Sequence, residues 1–126
     1  FDTIAGLGRK QPLTAAIVTV FMFALAGIPP TAGFAGKFVL FSEALRGGYL
    51  GLVIWAVVFS AISLYYYLRV VVAMWMWPPS EAVAQVSETP NGLRPVLILS
   101  ALISLIPGIY PQPFLELAGR SLFWLL

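Results

Sequence analysis

The 126 residues include no cysteine and no histidine. Without them the chain cannot hold an iron–sulfur cluster or a haem by the usual ligands, build a cysteine- or histidine-based catalytic centre, or form a disulfide. Electron chemistry, if any, is expected elsewhere. Charge is scarce as well, at 10% Asp, Glu, Lys and Arg, where an ordinary soluble domain carries about a quarter. The seven Lys/Arg and five Asp/Glu are scattered singly to a net charge of +2, and no basic patch points to nucleic acid. Walker loops, nucleophile elbows, metal-ligand spacings and internal repeats are all missing. What is abundant is apolar: 60% of the residues, with a mean hydropathy of +0.94. So little polar surface cannot keep a globule of this size in water, and the chain reads as an all-α integral membrane protein. It opens on Phe1-Asp2 with no Met and no basic n-region, so no signal peptide is expected, and the segment reads as a fragment of a longer chain.

Uncharged stretches run from Gln11 to Gly36, Gly47 to Leu68 and Pro95 to Leu115, of 26, 22 and 21 residues. Each reaches the roughly 20 residues that a helix needs to cross a hydrocarbon core of ~30 Å. Three crossings follow, over about 13–45, 49–77 and 93–118, in a single membrane unit spanning 1–126. The polar, proline-bounded segment 78–92 reads as a loop outside the membrane. Trp75 and Trp77 stand at its edge, where indoles favour the membrane interface. Pro107-Gly108 is expected to kink the third helix, with Pro111 and Pro113 ending its regular part.

The first crossing is punctuated by Ala26-Gly27-Ile28-Pro29-Pro30-Thr31-Ala32-Gly33. Proline removes a backbone donor and glycine admits positive φ, so a continuous helix is not expected across 27–33. Two half-helices of one discontinuous crossing are expected instead, joined by unwound backbone at membrane depth. Such backbone is tolerated only where it is buried in protein or lines a hydrated cavity, as at the ion sites of transporters. Gly27, Pro29, Pro30 and Gly33 are therefore candidate channel-lining positions.

Lys37 follows this break. A lysine at the bilayer centre costs about 2.5–3.5 kcal/mol on insertion scales, so it needs a partner, a hydrated cavity or deprotonation. Desolvation favours the neutral form of an ammonium group, which makes Lys37 a candidate proton relay. The carboxylates Asp2, Glu43, Glu81, Glu88 and Glu116 all flank the crossings. Glu43 is six positions from Lys37 but three from Arg46, its better partner. The competing reading is a lysine that snorkels to the headgroups from a helix end. Arg69 shares a helix face with Tyr65 and Tyr66, so its guanidinium is expected on a tyrosine ring, as packing rather than relay. Ser60, Ser63, Ser100 and Ser104 read as small residues for close helix packing. Arg9, Lys10, Arg94 and Arg69 fall toward one side, with Arg46 and Arg120 on the other. The positive-inside rule then makes the amino terminus cytoplasmic and the carboxyl terminus external.

The stretch Phe23-Ala24-Leu25-Ala26-Gly27-Ile28-Pro29-Pro30-Thr31-Ala32-Gly33-Phe34-Ala35-Gly36-Lys37-Phe38, followed by Ser60-Ala61-Ile62-Ser63-Leu64-Tyr65-Tyr66-Tyr67-Leu68-Arg69-Val70, resembles the carboxyl-terminal part of the subunit N family of bacterial NADH–quinone oxidoreductase. Those are antiporter-like membrane subunits of respiratory complex I. The likeness extends to Gly6-Leu7-Gly8-Arg9-Lys10 and Gly108-Ile109-Tyr110-Pro111-Gln112-Pro113. It implies a fourteen-helix subunit in the bacterial inner membrane, whose discontinuous twelfth helix is the first crossing here. Lys37 then takes the position of that helix's proton-channel lysine, with Tyr65, Tyr66 and Arg69 as supporting candidates. The resemblance further implies no cofactor in this chain, with NADH, FMN, iron–sulfur clusters and quinone on other subunits. The implied partners are the neighbouring antiporter-like subunits and the lipid bilayer. Two other functions stay open: a subunit of a multisubunit sodium/proton antiporter, and a structural segment with Lys37 as a fixed charge.

Overall fold

The computed structural model describes residues 1–123, and among them every regular element is helical. α1 (Leu7–Lys10) is a single turn, followed by α2 (Pro12–Ala26), α3 (Ala32–Arg46) and α4 (Leu50–Met76). The short α5 (Glu81–Gln85) precedes α6 (Leu93–Ile109) and α7 (Gln112–Phe123).

The helix ends follow from local chemistry. A residue before proline is pushed out of the α region. Gln11, ahead of Pro12, has φ −132° and ψ 75° and separates α1 from α2. Tyr110, ahead of Pro111, has φ −132° and ψ 78° and ends α6. The expected helical run over 93–118 is therefore two helices, with α7 bent from α6 by 88°. Pro107 does not end α6 but lies inside it. The segment 78–92 also differs from a plain loop, because Ser80 caps α5. Its Oγ accepts the Val83 N–H at 3.3 Å, a bond that stabilises a first turn.

α2 is the central element and packs against α3, α4 and α6. At 1.5 Å per residue its 15 residues span about 22 Å, short of a ~30 Å hydrocarbon core, whereas the 27 residues of α4 reach about 40 Å. Contacts between helices run through small residues: Ala15, Ala26, Ala73 and Ala101 are all buried. Gly8 lies under the Trp75 ring, where an added Cβ would stand 2.6 Å from Cε3. Trp75 also donates its indole N–H to Thr19 Oγ1 at 2.9 Å, so it is a packing residue between α4 and α2 rather than a free interface anchor. Most large apolar side chains face outward, including Leu52, Trp55, Phe59, Ile62 and Leu99. That is the inverse of a soluble protein and marks a surface made for lipid or protein.

The amino-terminal end is stitched to the segment after α4. Gly6 N–H donates to Ala73 O at 3.0 Å and Ser80 N–H to Ala5 O at 3.2 Å. Lys10 Nζ donates to Ala84 O, and Gln11 Nε2 to Ser87 O at 2.7 Å. Arg94 pairs with Glu88 at 3.5 Å.

Candidate functional site

The interruption between α2 and α3 is built by a glycine and closed by a lysine. Gly27 has φ 77°, the left-handed conformation that glycine adopts without steric cost. Its N–H donates to Ala24 O at 3.2 Å, and the Ile28 N–H donates to Phe23 O at 3.0 Å, the paired bonds of a Schellman motif. These two bonds satisfy the carbonyls of Phe23 and Ala24, among the four that a helix leaves unpaired at its carboxyl end. The carbonyl of Ala26 is taken by Lys37, whose Nζ donates to it at 3.0 Å.

No carboxylate lies within salt-bridge distance of Lys37 among the described residues. Glu43 pairs with Arg46 at 2.9 Å, as their spacing predicts. The ammonium group is held instead at the carboxyl end of α2, where the aligned peptide dipoles amount to about half a negative charge. Lys37 is half-buried and borders a cavity of about 390 Å³. The cavity is walled by α3 through Phe34, Phe38 and Phe41, by α4 through Val57, Ser60, Ala61 and Leu64, and by the break at Ala26–Pro29. Lys37 is the single charged residue in this lining.

The break is held from two sides. A Cβ at Gly33 would collide with the Ala24 carbonyl, and one at Gly108 with the backbone of Pro30 and Thr31. Thus α3 lies directly against α2, and α6 directly against the unwound segment, whose Pro29–Pro30 peptide is cis. Thr31 is 2% exposed, and its hydroxyl donates to Ile28 O at 2.7 Å.

Gly27 and Pro29 line the cavity with Lys37. Pro30 and Gly33 instead make the backbone contacts that hold the break. Tyr65, Tyr66 and Arg69 do not line the cavity. The two tyrosine rings meet edge-on at 5.6 Å and are 63% and 57% exposed. Arg69 lies over the Phe1 ring, 4.8 Å from its centroid, not over a tyrosine. Sixty-eight positions separate these residues, so helical spacing could not reveal the pair. Sequence reasoning also missed Thr31 and assigned Ser60 to packing alone. Ser63, Ser100 and Ser104 each donate to a carbonyl four residues earlier in their own helix, at 2.9, 2.9 and 3.1 Å. The buried threonine had a usable signal, a hydroxyl set between two prolines and a glycine in an apolar run.

Residues 1–63 match the family described as NADH:quinone oxidoreductase/Mrp antiporter, transmembrane. The chain is 52% identical over 118 residues to NADH-quinone oxidoreductase subunit N of Trichlorobacter lovleyi, covering 93% of this chain and 24% of that protein. It is 45% identical over 120 residues to F(420)H(2) dehydrogenase subunit N of Methanosarcina mazei, covering 95% of this chain and 24% of that one. Among solved structures, a chain of respiratory complex I from Thermus thermophilus, determined with bound aureothin, superposes with a TM-score of 0.80 at 36% identity. That match covers 88% of this chain and 25% of the other. The chain thus spans about a quarter of the length of these relatives.

Proposed function

Since the chain belongs to the transmembrane family shared by NADH:quinone oxidoreductase and Mrp antiporter subunits, we propose that it is part of a proton-translocating membrane subunit of the subunit N type. In this reading it works within an NADH:quinone oxidoreductase and has no redox centre of its own. NADH, FMN, iron–sulfur clusters and quinone are handled by other subunits, and neighbouring antiporter-like subunits are its partners. α2 and α3 together form one discontinuous crossing, and α4 and α6 are the second and third. The membrane is the bacterial inner membrane, with the amino-terminal end of the segment cytoplasmic and its carboxyl-terminal end external.

The observation that carries this reading is the Lys37 ammonium bonded to Ala26 O at a helix break, on the edge of a cavity with no carboxylate in its lining. A carbonyl at a helix end is a weaker counter-charge than a carboxylate. The ammonium is therefore held by a neutral acceptor rather than by an ion pair. Lys37 takes a proton from water in the cavity at Nζ. A charge change in an adjacent site then disfavours the ammonium, and the proton leaves to the opposite side.

The test is proton pumping against quinone reduction in vesicles holding the complete complex. Lys37→Ala should lower pumping while the complex still assembles. Lys37→Arg should impair it nearly as much, because a guanidinium does not release its proton. Full pumping by the Arg variant would make Lys37 a fixed structural charge, and full pumping by the Ala variant would remove it from the proton path.

A further inference from the structure

Six serines lie within the helices, and five of them turn the hydroxyl onto their own backbone. Ser42, Ser63, Ser100, Ser104 and Ser121 each donate to a carbonyl three or four residues earlier, at 2.7 to 3.1 Å, the local bond that a serine makes inside a helix when nothing else is at hand. Ser60 is the exception. Its hydroxyl has no hydrogen-bond partner among the described residues, where no fully buried side-chain oxygen is left without one. It is therefore open to the space it borders, the cavity of about 390 Å³ beside Lys37. Lys37 and Ser60 are the two polar side chains of that lining; the others are apolar side chains, glycine and proline.

The two residues also share a level in the membrane. α3 and α4 pack against each other and are joined by the short turn 47–49. Lys37 precedes the last residue of α3, Arg46, by nine positions, and Ser60 follows the first residue of α4, Leu50, by ten. At 1.5 Å per residue they stand about 13.5 and 15 Å from the turn. An ammonium group has three donors, and one of them is taken by Ala26 O. A serine hydroxyl offers two lone pairs and one donor. A water in an otherwise apolar cavity needs two or more polar partners, and these two side chains supply them.

We propose that Ser60 is a positioning residue for proton transfer at Lys37: its hydroxyl holds the water that exchanges a proton with Nζ. On release, one N–H bond of the ammonium breaks and its proton forms a new O–H bond with that water. This leaves a neutral amine on Lys37 and a hydronium that donates a hydrogen bond to Ser60 Oγ. The hydronium passes its extra proton to the next water in the cavity. Uptake runs the same steps backwards, with the Nζ lone pair accepting the proton. Without the hydroxyl, the wall across from Lys37 is apolar and keeps no water in place. The inference rests on the reading of Lys37 as a proton carrier.

The test is the initial rate of proton translocation driven by quinone reduction, per assembled complex, in vesicles holding the complete complex. Ser60→Ala, Ser60→Thr and Ser63→Ala are measured beside Lys37→Ala. Ser60→Ala should slow translocation about twofold or more, the weight of one neutral hydrogen bond. Ser60→Thr keeps a hydroxyl on the same carbon and should retain most of the rate. Ser63→Ala loses only a hydroxyl bonded to Phe59 O and should match the unaltered complex. A serine present for close helix packing gives the opposite order, because alanine is smaller and threonine adds a methyl group. A normal rate in Ser60→Ala overturns the proposal, as does an equal loss in Ser60→Thr or in Ser63→Ala. A loss in Lys37→Ala with none in Ser60→Ala removes the serine and leaves the lysine relay standing. A full rate in Lys37→Ala removes both.

Discussion

The sharpest perturbation of the Lys37 site is a single methyl group at Gly27. A Cβ at this position would stand 2.8 Å from Lys37 Cδ and 3.2 Å from both Cε and Nζ. The obstacle is the flexible end of a side chain, so the lysine can move aside. The backbone cost is the left-handed conformation at φ 77°, about 1–2 kcal/mol for a residue with a Cβ. Gly27→Ala should therefore leave assembly largely intact while lifting the ammonium off Ala26 O. Gly48→Ala is the matched control, for it carries the same left-handed strain at φ 81° but has nothing within 4 Å of its added Cβ. The assay is protons translocated per quinone reduced, in vesicles carrying equal amounts of assembled complex. Gly27→Ala should lose a substantial part of that ratio, and Gly48→Ala should keep it. A charge-assisted hydrogen bond contributes about 1.5–3 kcal/mol, so its loss shifts the balance between held and released lysine by about tenfold or more. Equal ratios for the two variants would refute the reasoning, since the contact with Lys37 would then have no part in translocation.

Gly33→Ala and Gly108→Ala meet backbone rather than a movable tail, and overpacking of this kind costs about 1–3 kcal/mol or more. Both should lower the amount of assembled complex in the membrane, measured by native gel, whereas Gly27→Ala should not. Thr31→Val removes the hydroxyl bonded to Ile28 O and should cost about 1 kcal/mol. A small drop in the thermal midpoint of the complex, with pumping per assembled complex unchanged, is the outcome to look for.

The residues around the break show what can be read along a chain. Proline and glycine act on their own backbone and that of their immediate neighbours, so the ends of α2, α3 and α6 were legible from Gly27, Pro29, Pro30 and Pro111. Lys37 was legible because a lysine in an apolar run demands explanation by itself, and the pairing of Glu43 with Arg46 because one helical turn separates them. The supporting residues were not. Helical spacing placed Arg69 beside Tyr65 and Tyr66, but its guanidinium lies over Phe1, brought near by the docking of the amino-terminal segment on the end of α4.

Composition and backbone punctuation thus determined a helical, lipid-compatible chain, interrupted after Ala26, with one lysine that needs a partner. These are properties of single residues and their nearest neighbours, which the sequence carries in full. The tertiary structure decided which partner that lysine takes. Only packing could place Nζ on a carbonyl eleven residues back, set Gly108 of α6 against Pro30 and Thr31, and bring Ser60 of α4 to the cavity wall. It also decided the direction of α7, because proline marks where a helix stops and not where the next one points. Contacts between helices depend on how surfaces far apart in the chain fit together, and no local period records that fit.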